Sequence, residues 1–504
     1  MRILLDTNII IHREAATIFN RDIGVLFNWL DKLHYSKCVH PTSIEEIKKH
    51  KDHKVVSTMA IKIANYHALK TEATLSPEVQ EISRKYDINE NDINDTKILN
   101  EVYADRVDFL ITEDRKIHKK SNELGISDRI FTIDSFLEKV NAENPSLTDY
   151  KVLSVTKEYF GKINIADLFF DSFREDYQGF DTWFNRKADE TAYVCKSESG
   201  QILAFLFLKV EGKEENYSDI NPIFPKKKRL KVGTFKVTMN GFKLGERFLK
   251  IIFDNAIRSQ VEEIYVTIFP KRLEQQRLIQ LLKDWGFSNY GEKQTPTGIE
   301  LVFNRDFSKN VNKSAPKITY PYITKDTNFF IVPIYPDYHT ELFPDSILRT
   351  ESPNDFIENE PHRNAISKVY LSRSYNRNLK SGDIIVFYRT GGIYQGVVST
   401  IGIIENIITK IDNEEHLILL CRKRSVFSDT GLKEFWNFNP RSRPFIVNFL
   451  YVYSLPKRIN LKNLIDLQVI AGVDSVPRGF ERISQEQFES ILKASNSDES
   501  FIVN

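Results

Sequence analysis

The sequence predicts a multidomain protein of mixed α/β and α+β class, on three observations. Its 504 residues are more than one hydrophobic core usually organises. Up to about residue 142, short apolar runs alternate with helical patterns, the signature of a parallel sheet covered on both faces by helices. Beyond that the pattern changes twice. Residues 150–308 read as a mixed sheet with long helices, and residues 318–495 as short β-like runs expected to close into a small β-barrel. Asn144, Pro145 and Ser146 mark the first exit and the polar stretch Lys309–Lys317 the second.

In the first segment the strand candidates are Ile3–Leu5, Lys37–His40, Phe109–Ile111 and Ile130–Thr132. Helical patterns lie between them at Ser43–His50, Val55–Leu69 and Asp95–Ala104. The second segment begins with a hairpin, Ala192–Cys195 and Ile202–Val210 around Ser199-Gly200, and a basic loop at Pro225–Arg229. There follow a strand (Gly233–Met239), a Gly-containing turn, a helix (Glu246–Arg258), a strand (Glu263–Ile268), a helix (Leu273–Trp285) and a closing strand near Ile299–Asn304. The clearest β runs of the third segment are Phe329–Pro333, Asp383–Tyr388, Gly396–Ile404, Leu417–Arg422 and Phe449–Tyr453.

Composition is that of a soluble globular chain, 41% hydrophobic and 28% charged, and excludes wholesale disorder. The net charge of +1 means that nucleic-acid affinity would have to come from local patches. Cys38, Cys195 and Cys421 are far apart, so neither a disulfide framework nor a zinc ribbon is expected. The opening MRILLDTNIIIHRE turns charged too early for a signal peptide and no stretch approaches a membrane helix; the expected location is the cytoplasm.

Four acids recur at strand-to-helix junctions of the first segment. Asp6 follows the apolar run Ile3–Leu5, Glu46 opens the helix after Lys37–His40, Asp95 starts DTKILNEVYA, and Asp114 follows FLIT. Carboxyl edges of strands are where open α/β sheets bind ligands. Two carboxylates ~4 Å apart repel by about 4 kcal/mol at an effective dielectric near 20, so a convergent set calls for cations. Oxygen-only donors select Mg²⁺ or Mn²⁺, which activate water against a phosphodiester. Taken singly, Asp95 and Asp114 read equally well as helix caps and Glu46 as a first-turn residue favouring the helix dipole.

The pieces LLDTN (Leu4–Asn8), PTSIEEI (Pro41–Ile47), NDTKIL (Asn94–Leu99) and LITEDRKI (Leu110–Ile117) occur in the order and rough spacing of a PIN nuclease domain, which residues 1–142 resemble. The resemblance implies single-stranded RNA cleavage by metal-activated water, with Asp6, Glu46, Asp95 and Asp114 as catalytic metal ligands and Asn8 and Thr112 hydrogen-bonding behind them. Glu45 beside Glu46, and Asp92 near Asp95, remain alternatives at their positions.

In the second segment FKVTMNGFKLGERFL (Phe235–Leu249) runs from strand through a loop with Gly241 and Gly245 into a helix, whose first amides can hold a pyrophosphate. Residues 150–308 resemble the GNAT acetyltransferases, which implies acetyl-coenzyme A held by Lys243, Leu244, Gly245, Glu246 and Arg247. The match departs from that family at Phe242 and Arg247 of the phosphate loop and at Phe269-Pro270-Lys271, and Tyr290 falls near the family's proton donor. PKKKR at Pro225–Arg229 reads as a solvated loop or a nucleic-acid patch.

In the third segment LKSGDIIVFYRTGG (Leu379–Gly392) and GVVSTIGIIENI resemble the PUA-like superfamily with its ASCH and EVE domains, implying an RNA-binding module. Arg363, Lys368, Arg373, Arg377, Lys380 and Arg389, interleaved with Tyr370, Tyr375 and Tyr388 and followed by Arg422-Lys423-Arg424, could track phosphates and stack bases, or form a solvated face over a tyrosine core. Trp436 and Phe438 are pocket candidates that read first as core. The leading expectation is a Mg- or Mn-dependent endoribonuclease with RNA as partner, of the kind found as toxin or defence components with a protein antitoxin. An N-acetyltransferase recruited by the first domain, or a non-catalytic RNA-binding adaptor, are the competing expectations.

Overall fold

The structure is a computed structural model and describes every residue except 15–20, 49–55, 57–62, 64–65, 144–154, 197–199, 239–242, 344–362, 364, 422–423 and 504. Chain contacts divide it into two units, Met1–Thr148 and Asp149–Asn504. Both are α/β, with a parallel sheet in the first and mixed sheets in the second. No helix among the described residues is long and apolar enough to cross a membrane.

The first unit is built on β1 (Arg2–Leu5), β2 (Ser36–Val39), β3 (His67–Ala68), β4 (Phe109–Ile111) and β5 (Ile130–Phe131), all parallel in the order β3-β2-β1-β4-β5. Ile3, Leu4 and Leu5 are fully buried, because a central parallel strand is covered on both faces and reads as an unbroken apolar run. The helices include α1 (Thr7–Glu14), α2 (Arg21–Lys32), α3 (Pro41–Lys48), α4 (Pro77–Tyr86), α5 (Glu90–Tyr103), α6 (Arg115–Glu123) and α7 (Ile133–Glu143). From β1 the chain moves to β2 on one side and later returns to β4 on the other. The carboxyl ends of β1 and β4 therefore flank a topological switch point, where such sheets leave a crevice. Most of the expected helix Val55–Leu69, and the exit at Asn144-Pro145-Ser146, lie outside the described residues.

The second unit holds two large sheets. The first contains β6 (Val155–Tyr159), β7 (Thr191–Lys196), β8 (Ile202–Glu211), β9 (Ile220–Asn221), β10 (Arg229–Val237), β11 (Glu263–Ile268), β12 (Ser288–Thr295) and β13 (Gly298–Asp306), in the order β6-β7-β8-β10-β11-β13-β12-β9. Every pairing is antiparallel except β10 with β11. Before β7 come α8 (Asp171–Asp176) and α9 (Phe180–Asn185); α10 (Leu244–Ser259) follows β10, and α11 (Leu273–Asp284) follows β11. A bulge at Gly233 shifts the β8–β10 register between Val232 and Thr234. Glycine is required there, since a Cβ would stand 2.8 Å from the Phe207 ring.

A short parallel pair joins β14 (Ile323–Thr324) to β21 (Ile502–Val503), and the second large sheet contains β15 (Phe329–Ile334), β16 (Ser367–Ser372), β17 (Ile384–Arg389), β18 (Val397–Ile408), β19 (Phe445–Asn460) and β20 (Glu481–Ile483), ordered β16-β19-β18-β17-β15-β20. Among the described residues the expected PUA-like barrel is not closed: the edge strands β16 and β20 do not pair with each other. Alternate residues of β15, β17 and β19 enter two different cores. Phe329, Ile331, Ile384 and Val386 join one, and Phe330, Val332, Ile385 and Phe387 the other. A sheet covered on both faces has no bare interior to seal, so closure is not needed. The run Leu417–Arg422, read as β, is helical as far as Cys421, within Glu414–Cys421; Leu417, Ile418, Leu420 and Cys421 pack in a small cluster with Trp436.

Several residues expected to face RNA are internal. Arg363, Lys368, Arg389 and Tyr388 are buried, and Tyr370 packs between Phe387 and Phe480 and donates to the Pro333 carbonyl. Tyr375 is fully exposed, Phe438 is 83% exposed and Trp436 is core. Arg422 and Lys423 lie outside the described residues. The polar stretch Lys309–Lys317 is packed: Ser381 donates to the Lys313 carbonyl, Lys317 pairs with Glu405, and Arg305 reaches past it to the carbonyls of Ile318 and Tyr320.

Candidate functional site

The acids of the first unit meet at its switch point. Asp6, just past β1, is 4% exposed, and its Oδ2 accepts the Thr112 hydroxyl at 2.7 Å. The same Thr112 Oγ1 accepts the backbone N–H of Asp114 at 3.0 Å. One threonine after β4 thus fixes both acids. Glu46 on α3 accepts from Thr7 at 2.8 Å and from the Asn94 amide at 2.9 Å, while Glu45 is exposed. Asp95 is the next residue of α5 after Asn94. Asp114 also caps α6 through the amides of Lys116 and Ile117, the alternative role read for it. Asp92 is directed elsewhere, to Lys116 at 2.6 Å. Asn8 is exposed, and the supporting contacts fall to Thr7 and Asn94, which the sequence reading did not single out.

The four carboxylates share one electrostatic field. Burial raises Asp95, and the charges of Asp6, Asp114 and Glu46 add to it against the pull of Lys120, to about 7. Asp6 is raised as well, first by burial. Chemically this all-oxygen set suits Mg or Mn. Geometrically it does not fit the ion. The carboxylates of Asp6, Glu46 and Asp114 accept hydrogen bonds from protein donors, and no three His, Cys, Asp or Glu side chains among the described residues lie close enough together to hold an ion.

The burial of Asp95 among like charges has a measurable consequence. With a folded-state pKa above its ordinary 3.8, Asp95 costs the fold nothing below pH 3.8; the cost grows as pH rises and is complete above about 7. Asp95→Asn is therefore expected to raise stability by roughly 1–2 kcal/mol at pH 8, after allowance for solvent screening, and to give no gain at pH 4. Thermal melts at both pH values check this; an equal shift at both would place the effect elsewhere.

The second unit carries a cavity of about 960 Å³ on the α8–α9 face of its first sheet. Its origin is the β10–β11 pair. The two strands run in register only from Arg229↔Glu263 to Val232↔Val266, and beyond the Gly233 bulge they part. Phe235, Lys236, Thr267 and Ile268 line the gap. At its far end stands the N-terminus of the 16-residue α10, where Lys243 adopts a left-handed φ of 55°. The expected phosphate-loop residues Gly241 and Phe242 lie outside the described residues.

Lys243, Leu244, Gly245 and Glu246 line the cavity, and Arg247 is not among its lining residues. Gly245 lets α10 approach α11, as a Cβ there would meet Leu281 at 2.8 Å. The Glu246 carboxylate accepts from Lys243 and from the amides of Ile366 and Ser367, joining α10 to β16. Tyr290 does not line the cavity: its ring packs tilted against Phe224 and its hydroxyl donates to the Ile223 carbonyl. The tyrosine in the wall is Tyr177, between α8 and α9. Its hydroxyl donates to buried Glu300, and burial followed by that carboxylate's charge pushes its pKa above the usual phenol value. Tyr177 and Glu300 are 123 positions apart in sequence, so no local motif announces them. The basic loop Pro225–Arg229 is paired: Lys226 with Glu214, Lys227 and Arg229 with Glu263, and Lys228 with the Ser259 carbonyl.

No family model matches the chain, and no curated protein matches it. Among solved structures, the chain is similar to Naa20 of Chaetomium thermophilum in complex with a bisubstrate analogue, at 15% identity and a TM-score of 0.24, over 31% of this chain and 86% of that one. It is similar to a chain of the NatC complex bound to Gag peptide and CoA, at 14% identity and a TM-score of 0.22, over 31% and 100%. It is also similar to a GNAT-family acetyltransferase from Listeria monocytogenes, at 15% identity and a TM-score of 0.22, over 32% and 98%.

Proposed function

We propose that the second unit binds an acyl-coenzyme A in the cleft between β10 and β11 and transfers its acyl group to an amine. One observation carries the reading: a parallel strand pair parts over a cavity of about 960 Å³ whose open end meets the N-terminus of a long helix. The edge of β10 past Val232 has no ladder with β11, so an extended pantetheine arm can dock there as a strand would. The first amides of α10 suit a diphosphate, with Lys243 beside them. Leu278 and Phe269 give the arm apolar walls. Tyr177 and Glu300, joined by their hydrogen bond, line the same cavity and offer an incoming amine a hydroxyl and a carboxylate.

The test is titration calorimetry with acetyl-coenzyme A, followed by thiol release against a panel of amines. Thr267→Trp, which fills the gap between the strands, is expected to weaken binding at least about tenfold, ~1.4 kcal/mol. No saturable binding to the parent chain would overturn the reading.

A further inference from the structure

Lys231 stands one residue before the point where β10 and β11 part, and its side chain enters the cavity. From the α10 end, β10 offers five residue steps from Val237 to Val232, about 16 Å of extended strand. An arm docked along that edge with its phosphates at α10 brings its thioester to the parting point, beside Lys231.

The surroundings of this lysine are unusual for a cation. Its side chain is only 30% exposed. Its nearest acid is Glu211, with Oε1 at 3.8 Å, and Lys209 sits closer to that same oxygen at 3.1 Å. The other oxygen of Glu211 accepts the hydroxyls of Tyr217 and Tyr265. Lys209 and Lys293 repel Lys231 and Asp219 attracts it, but Asp219 is itself paired with Lys293 at 2.7 Å. The Tyr265 ring, 5.7 Å from the ammonium, completes the shell. Burial and the two neighbouring lysines hold its pKa below the ordinary lysine value, which enlarges the neutral, nucleophilic fraction.

Resting on the acyl-coenzyme A reading of the cleft, we propose that Lys231 is a self-acylation site, taking the acyl group from the thioester bound beside it. The ammonium first gives one proton to solvent. The Nζ lone pair then attacks the thioester carbonyl carbon, an N–C bond forms and the C–S bond breaks. Coenzyme A leaves as thiolate and takes up the second proton lost by the nitrogen, so the products are an amide, a thiol and one released proton. The amide cancels a charge beside Glu211 and places an acyl group in the cavity, which would compete with an external amine.

The experiment incubates the full chain with isotopically labelled acetyl-coenzyme A and follows each lysine by peptide mass spectrometry, with calorimetry run in parallel. Expected is one acetyl group at Lys231, gained at least about tenfold faster than at Lys226, whose side chain is 76% exposed. Lys231→Arg should lose that label and keep coenzyme binding, and Lys293→Gln, which removes one repelling cation and frees Asp219, should slow labelling at Lys231 without moving it to another lysine. Binding without label at Lys231, or labelling no faster than at Lys226, overturns the proposal and leaves the cleft's reading standing. Absence of binding by the parent chain overturns both.

Discussion

Arg229→Met is expected to destabilise the second unit by about 3–5 kcal/mol, the usual cost of stranding one member of a buried ion pair. Arg229 is fully buried at the start of β10, and its Nε donates to Glu263 at the start of β11 at 2.6 Å. Its guanidinium also lies 4.3 Å from the Phe224 ring and 5.0 Å from the Tyr217 ring, and donates to the Pro225 carbonyl. With methionine there, Glu263 keeps Lys227 and Asn304 but loses its buried partner. Urea unfolding followed by tryptophan fluorescence measures the loss. Glu263→Leu added to the variant should recover most of it, because two apolar groups strand no charge. The pair clamps the closed end of the parting strands, so acetyl-coenzyme A affinity is expected to fall with stability. Unchanged stability in Arg229→Met would show that the clamp is not needed.

Lys120→Met is expected to cost the first unit a similar amount, about 3–5 kcal/mol. Lys120 on α6 is fully buried and pairs with Asp87, itself 4% exposed, at 2.6 Å. It also donates to the Asp92 carbonyl and the Thr96 hydroxyl of α5. One ammonium thus holds the helix that carries Asp95 against the helix that Asp114 caps. It also supplies the positive charge that partly offsets the repulsion around Asp95. Hydrogen exchange should show faster exchange across 90–103 and 115–123 in the variant. Protection equal to the parent's would place the support of these helices elsewhere.

Much of the candidate sites was legible from short patterns. Asp6 and Asp114 sit directly past β1 and β4, and a parallel sheet brings such junctions to one edge, whereas Glu46 and Asp95, read as helix starts, lie at the sixth position of α3 and of α5, whose cap is Asn89. Threonine two residues before Asp114 was legible too, though not that its hydroxyl would bond both acids. The β10–α10–β11–α11 order was readable from apolar periodicity. The third segment was less legible. Alternation showed that β15 and β17 were strands, but not that both faces would be covered, and the apolar run at Leu417 carries no signal separating helix from strand.

Local sequence, then, determined most of the strands and helices and the acids just past β1 and β4, because backbone preference and apolar period act over a few neighbours. Tertiary structure alone decided the rest. It drew Tyr177 to Glu300 across 123 positions, parted β10 from β11 after Val232, placed Lys231 against Glu211, and turned Tyr370 and Tyr388 inward. Each of these is set by which surfaces pack together, and a side chain's burial and charge environment depend on partners that no local pattern names.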